Sequence, residues 1–228
     1  MVLNRQALES KLLHQLLAHP ELDLEIWSDE RLLQSIKNIL QQQSTKEMWI
    51  FAYGSLVWNP VFHYSDRRPI VVRDWQRQFC SLAPVGRGTI DNPGLVLGLE
   101  SKANVCCEGI AYRLPIDENL ESELLLLWRR EMVVGSYIPT WIEGKSGNRD
   151  LEILAFVINT QHPVYVNFST EKIVESLATA KGSLGSSAEY LDNTVRGLLA
   201  AGIEDRTLIE LDRMVKQRQL QLASFESI

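Results

Sequence analysis

Cysteine is scarce in this 228-residue chain, which has only three: Cys80, Cys106 and Cys107. An odd count with two adjacent residues cannot build the disulfide framework of a small secreted protein, and it suits a reducing compartment. Histidine is as sparse. His14, His19, His63 and His162 are scattered without His-x-x-x-His spacing, and no Cys-x-x-Cys occurs. The sequence therefore offers neither a metal-ligand pattern nor a thioredoxin-like pair, and no metal or cofactor is expected. Long apolar runs are missing as well, since none approaches the roughly 20 residues of a membrane span. The first 20 residues interleave leucines with Arg5, Glu9, Lys11 and His14, unlike the apolar segment of a signal peptide. Basic charge is in the minority, with 23 Lys+Arg against 29 Asp+Glu and a net charge of -6. No nucleic-acid surface follows from such a balance. The expectation is a cytoplasmic protein with neither a membrane nor a nucleic-acid partner.

Two further motifs are absent. A nucleophile elbow needs Gly-x-Ser-x-Gly, but Tyr53 and Val57 stand where the glycines around Ser55 should be. Gly86-x-Gly88 is too short for a dinucleotide fingerprint, and no helical pattern follows it. Any catalysis would rest on carboxylates, backbone amides and hydroxyls.

What is present divides into three zones. Over residues 1–46, Leu8, Leu12 and Leu16 and the pair Leu13, Leu17 recur at helical spacing. Pro20 breaks that run, a second helix is predicted over about 29–42, and a polar stretch from Gln41 to Lys46 reads as a connector. This zone reads as an N-terminal helical extension packed on the main body. Residues 47–160 carry seven short β-type runs, at 48–53, 70–73, 77–83, 95–100, 106–114, 137–142 and 151–158, separated by Gly, Pro, Asn and Asp. They suggest a small barrel or a strongly curled sheet. One helix interrupts them over 117–132, with Asp117 as its predicted N-cap. Three more helices are predicted at 171–180, 187–201 and 205–222, so the fold class is α+β. In the strand at 106–114, Cys106 and Cys107 face opposite ways, and one of them reads as a small core residue.

Two features could carry chemistry. The run Met48-Trp49-Ile50-Phe51-Ala52-Tyr53 ends abruptly in Gly54-Ser55-Leu56. Consecutive backbone N–H groups in such a turn can form a nest for a carboxylate or an oxyanion. An ordinary strand-ending turn fits the same residues. The second feature lies on the predicted helix, where Leu120, Leu124 and Leu127 form one stripe and four more residues lead to Glu131. Arg129 and Arg130 fall on other faces. A carboxylate aimed at a core either pairs with a cation or rises in pKa through desolvation. The negative end of the helix dipole acts in the same direction as desolvation. A helix ending one turn earlier would instead leave Glu131 in solvent.

Together these features resemble a family pattern. The run Trp49-Ile50-Phe51-Ala52-Tyr53-Gly54-Ser55-Leu56-Val57-Trp58-Asn59-Pro60 resembles the opening motif of the ChaC family of γ-glutamylcyclotransferases. Gly86-Arg87-Gly88 before Pro93-Gly94, then Gly109 through Pro115, Trp128-Arg129-Arg130-Glu131-Met132 and Ala188-Glu189-Tyr190-Leu191 follow in order, so the resemblance spans about 48–215. It is closest to the bacterial members, which also carry a helical extension. One departure is Ala52, where the family usually has Gly, and its methyl is expected to narrow the space near the turn.

The resemblance implies a γ-glutamylcyclotransferase-like catalytic domain over 47–228 behind the 1–46 extension. It implies a lyase that converts glutathione to 5-oxoproline and Cys-Gly, with Glu131 as acid/base. It further implies substrate contacts from Ile50, Phe51, Ala52, Tyr53, Gly54, Ser55 and Leu56, with Tyr112 and Tyr190 either side-chain donors or core aromatics with satisfied hydroxyls. Free γ-glutamyl amino acids or amines are the alternative substrates, and a noncatalytic binding barrel is the alternative class.

Overall fold

Five consecutive residues, Met48–Ala52, are all buried, and this strand (β1) lies between two others. It pairs antiparallel with β3 (Gly94–Leu114) and parallel with β5 (Arg149–Ile158). Antiparallel pairing of β3 with β2 (Asp66–Ala83), and of β2 with β4 (Tyr137–Ser146), leads back to β5. The result is a closed barrel in the order β1-β3-β2-β4-β5. This computed structural model describes residues 3–225.

The seven expected runs are five strands. The breaks that sequence placed after residues 73 and 100 are bulges inside β2 and β3, where the register shifts between Arg73 and Trp75. Asp74 and Asn104 both adopt positive φ there, 62° each, and the Asp74 carboxylate accepts a hydrogen bond from the Asn104 amide at 2.8 Å. Asp and Asn tolerate this conformation, so the residues that read as turn signals bend strands instead of ending them. Beside the bulge Cys107 is buried and Cys106 exposed, as alternation requires.

Helix α4 (Leu120–Glu131) packs its Leu124, Leu127 and Trp128 against the barrel, and the Trp128 ring meets Phe156 edge-on at 5.1 Å. Asp117 does not serve as the N-cap. Its carboxylate accepts from the Asn119 amide two residues on, and the helix starts at Leu120. After the barrel, α5 (Thr170–Thr179), α6 (Ser187–Ala200) and α7 (Arg206–Phe225) follow, with the tiny hairpin of β6 (Lys181–Gly182) and β7 (Gly185–Ser186) between α5 and α6.

The N-terminal leucine run is split into α1 (Arg5–Glu9) and α2 (Leu12–Leu17) at Lys11, whose φ is 57°. Leu8 is buried. Helix α3 (Asp29–Leu40) lies on α4, where Ser35 accepts from the Trp128 indole at 3.1 Å and Asp29 takes two hydrogen bonds from Arg129. A buried clasp joins α1 to α4. Arg5 donates to Glu123 at 2.9 Å, and the His63 amide donates to the same carboxylate at 3.0 Å. Burial pushes the Glu123 carboxyl up, but Arg5 and His63 outweigh it and hold it below the usual range. No helix among the described residues is long and apolar enough to cross a membrane.

Candidate active site

A cavity of about 280 Å³ opens where the end of β1, the end of α4 and the start of α6 converge. Phe51, Tyr53, Gly54, Ser55 and Leu56 line one side of it, with Glu131 and Tyr190 facing in from the helices. Tyr53 follows β1, and Ser55–Val57 form a single 3-10 turn in which the Val57 amide reaches the Gly54 carbonyl. The first N–H groups of such a turn have no partner within it, so those of Ser55 and Leu56 are left to other acceptors.

Glu131 is the last residue of α4, and its side chain is 14% exposed. Arg130 Nε approaches Glu131 Oε1 to 3.1 Å, yet without the alignment of a hydrogen bond, so that buried oxygen has no hydrogen-bond partner. Burial pushes the Glu131 carboxyl above its ordinary range, and the Arg130 charge opposes the rise. The carboxylate is thus poorly solvated, incompletely paired and directed at a cavity. A group in that condition is suited to taking and returning a proton.

Arg130 departs from the sequence expectation. Read on a helical wheel it points away, but its long side chain curls back into the site and is only 5% exposed. It donates to the Asn59 carbonyl at 2.6 Å and to Ser55 Oγ at 2.8 Å. Its guanidinium therefore ties the helix end to the turn while standing beside the carboxylate. Arg129 turns outward to Asp29, and α4 does not end a turn early.

Other residues of the cavity were not singled out by sequence. Arg87 lies within 6 Å of two ring centroids, Trp58 at 5.8 Å and Tyr190 at 5.7 Å. Its nearest acid, Glu189, is at 3.4 Å and more than half exposed. The Tyr137 hydroxyl donates to the Leu97 carbonyl at 2.9 Å, and Tyr53 donates to the Phe156 carbonyl at 2.6 Å. Burial raises both phenols well above their ordinary value, so they stay neutral. Arg87 stands inside a recognised motif and Tyr137 heads a strand. Only assembly shows that either reaches the cavity.

Three residues expected at the site are not brought to it. Ile50 and Ala52 alternate with Phe51 and Tyr53 along β1, so their side chains occupy the other face, where both are fully buried. The Ala52 methyl accordingly does not narrow the cavity. Tyr112 is 1% exposed among Phe62 and Tyr64, and its hydroxyl is spent on the Val57 carbonyl at 3.2 Å. The N-terminal segment, in contrast, takes part. Leu3, Leu13, Leu17 and Leu24 complete an apolar wall of the cavity, and the Leu3 carbonyl accepts from Asn59 at 2.7 Å.

Gly54 is required by a close approach and not by a left-handed conformation, its φ being -133°. A Cβ placed there would lie 2.9 Å from the Tyr190 hydroxyl. The Tyr190 ring packs edge-on against Trp58 and Phe79, which resist its displacement. Gly54→Ala is therefore expected to cost about 1–3 kcal/mol of stability through overpacking. Activity should fall with it. Adding Tyr190→Phe removes the colliding oxygen and should recover most of the stability, which urea unfolding of the single and double variants will measure.

The small closed barrel flanked by helices is the γ-glutamylcyclotransferase fold. A solved yeast gamma-glutamyl cyclotransferase specific to glutathione superposes with a TM-score of 0.68 at 22% identity, over 76% of this chain and 97% of that one. The family described as ChaC-like protein matches residues 48–218, so this chain belongs to the ChaC family. Among its relatives is the glutathione-specific gamma-glutamylcyclotransferase of Escherichia coli (strain K12), 36% identical over 195 residues that cover 84% of this chain and 83% of the relative. A second is glutathione-specific gamma-glutamylcyclotransferase 1 of Homo sapiens, 35% identical over 148 residues, 63% of this chain and 66% of that one.

Proposed function

We propose that this chain is a cytoplasmic lyase that degrades glutathione, cyclising the γ-glutamyl group to 5-oxoproline and releasing Cys-Gly. Residues 47–228 form its catalytic domain, and the 1–46 extension completes the cavity. The observation that carries the reading is the buried Oε1 of Glu131, which has an ion-pair contact to Arg130 but no hydrogen-bond partner, in the same cavity as the Gly54-Ser55-Leu56 turn. Its relatives' activity supports the choice of substrate.

The reaction follows from that geometry. Glu131, as a carboxylate, takes a proton from the substrate's α-ammonium. The freed amine attacks the γ-carbonyl carbon of the same molecule and closes a five-membered ring. Because nucleophile and electrophile are already joined, little translational entropy remains to be lost. The γ-oxygen becomes an oxyanion facing the N–H groups of the turn, which need no reorganisation to meet it. Glu131 then returns its proton to the departing cysteinyl nitrogen as the C–N bond breaks, and the second proton of the ring nitrogen passes to the released amine, which leaves as an ammonium. No water is consumed. Arg87, whose acid partner Glu189 stands 3.4 Å away and more than half exposed, receives a substrate carboxylate.

The leucine wall is left to the cysteinyl side chain, the only substantial apolar side group of the substrate. Glutathione should accordingly outpace γ-glutamyl-alanine, which lacks the thiol and the glycyl carboxylate, by about tenfold or more in kcat/KM. Rates of 5-oxoproline formation from the two substrates check this. Equal rates would give the enzyme to γ-glutamyl amino acids in general, and no 5-oxoproline from either would remove the proposed function.

A further inference from the structure

Arg77 is nearly buried, at 8% exposure, yet it belongs to no part of the cavity. It lines a separate hollow on the far side of the turn, with Cys107, Glu108 and Asp205. From there Arg77 donates to the carbonyl oxygen of Tyr53 at 2.7 Å, and its Nε lies 3.0 Å from Asp205 Oδ2. Asp205 is itself fixed, because its other oxygen caps the start of α7 by accepting from the Leu208 amide at 3.0 Å. A guanidinium is planar, and here one edge grips the carboxylate while another nitrogen reaches the carbonyl.

The C=O and N–H of one peptide unit point in opposite directions. With the Tyr53 carbonyl held by Arg77, planarity directs the Gly54 N–H of the same unit away from Arg77, and both Tyr53 and Gly54 line the cavity. A short strand-ending turn could otherwise rotate this unit, because Gly54 is the residue with the least steric resistance to rotation.

We propose that Arg77, braced by Asp205, is a positioning residue that locks the Tyr53–Gly54 peptide so that the Gly54 N–H serves the oxyanion. It touches neither substrate nor reacting atoms. The assignment rests on the cyclotransferase reading for its catalytic consequence, while the orientation of the peptide can be tested without substrate.

The effect of losing Arg77 should appear in the transition state and hardly in binding. Arg77→Met is expected to lower kcat by about 10²-fold, as for loss of one oxyanion donor, with KM changed by less than about threefold. Arg77→Lys keeps a cation able to reach one of the two oxygens and should regain about tenfold of that loss. Asp205→Asn leaves Arg77 in place but unbraced, and it should lower kcat to a smaller extent.

The experiment measures kcat and KM on glutathione for wild type and the three variants, and records the Gly54 amide resonance by NMR in each folded protein. The expected result is a kcat loss ordered Met, Asn or Lys, wild type, with a displaced Gly54 amide resonance and an unmoved Gly147 resonance. Folded variants with wild-type kcat, or with an unchanged Gly54 resonance, overturn the proposal. If Arg77→Met does not fold, Arg77→Lys and Asp205→Asn decide by the same two readouts. If wild type forms no 5-oxoproline, the function reading fails, and the Gly54 resonance alone decides the role of Arg77.

Discussion

Glu131→Gln is expected to keep the fold and lose turnover by about 10²–10⁴-fold, the usual contribution of general acid–base catalysis. The amide is nearly isosteric with the carboxylate and still offers an oxygen beside Arg130, so the cavity should keep its shape. It cannot accept the ammonium proton. Stability should move the other way. Burial raises the native carboxyl above its unfolded value, so the folded state binds a proton more tightly than the unfolded chain. Such a group contributes stability that is fully present below the unfolded pKa and is lost as pH rises through the folded one. Replacing it with a neutral amide removes that loss. The melting temperature of Glu131→Gln should therefore equal or exceed that of wild type at pH 8. A folded variant with wild-type turnover would remove Glu131 from the chemistry, and a destabilised one would make the activity loss uninformative.

The second large effect concerns Arg130. In Arg130→Met the Asn59 carbonyl and Ser55 hydroxyl lose a charged donor, at a cost of about 1–3 kcal/mol for buried groups left unpaired. The catalytic consequence is one of pH. Burial raises the Glu131 carboxyl and the Arg130 charge opposes it, so removing the charge lets the carboxyl rise further. Burial, with a contribution from the Glu131 charge, raises the phenols of Tyr53, Tyr137 and Tyr190, so they are neutral at working pH. They cannot replace the cation. The base must be ionised to accept a proton, so the acidic limb of kcat/KM should move to higher pH, with about a tenfold loss per pH unit below it. A profile of kcat/KM between pH 5 and 9 checks the shift. An acidic limb that stays in place, or moves to lower pH, would show that Arg130 does not tune this carboxylate.

Periodicity carried the reading of the site as far as periodicity can. Three leucines at helical spacing lead to Glu131, and the structure buries Leu124 and Leu127 completely along that line. The buried-strand run before Gly54 was equally legible, because a strand covered on both faces has no polar positions to hide it. Fold class followed from the same two periods. Arg130 was missed because a helical wheel records where Cβ points, whereas a long arginine stem can return its head to the opposite side. Arg77 and Arg87 needed tertiary structure, since their partners lie 24 and about 100 positions away. Tyr112 was open to two readings. A tyrosine in a motif is as easily a core aromatic, and here the Val57 carbonyl satisfies it. The strand breaks at Asp74 and Asn104 were misread because the residues that favour turns also favour the positive φ of a bulge.

The central claim is that the nucleophile is the substrate's own amine. Reaction of purified protein with reduced glutathione in H₂¹⁸O, followed by mass spectrometry, tests it directly. The account predicts equimolar 5-oxoproline and Cys-Gly with no ¹⁸O in either, since no water enters the reaction. Glutamate carrying ¹⁸O in its γ-carboxyl would mean that water attacked the carbonyl, and intramolecular cyclisation would be excluded.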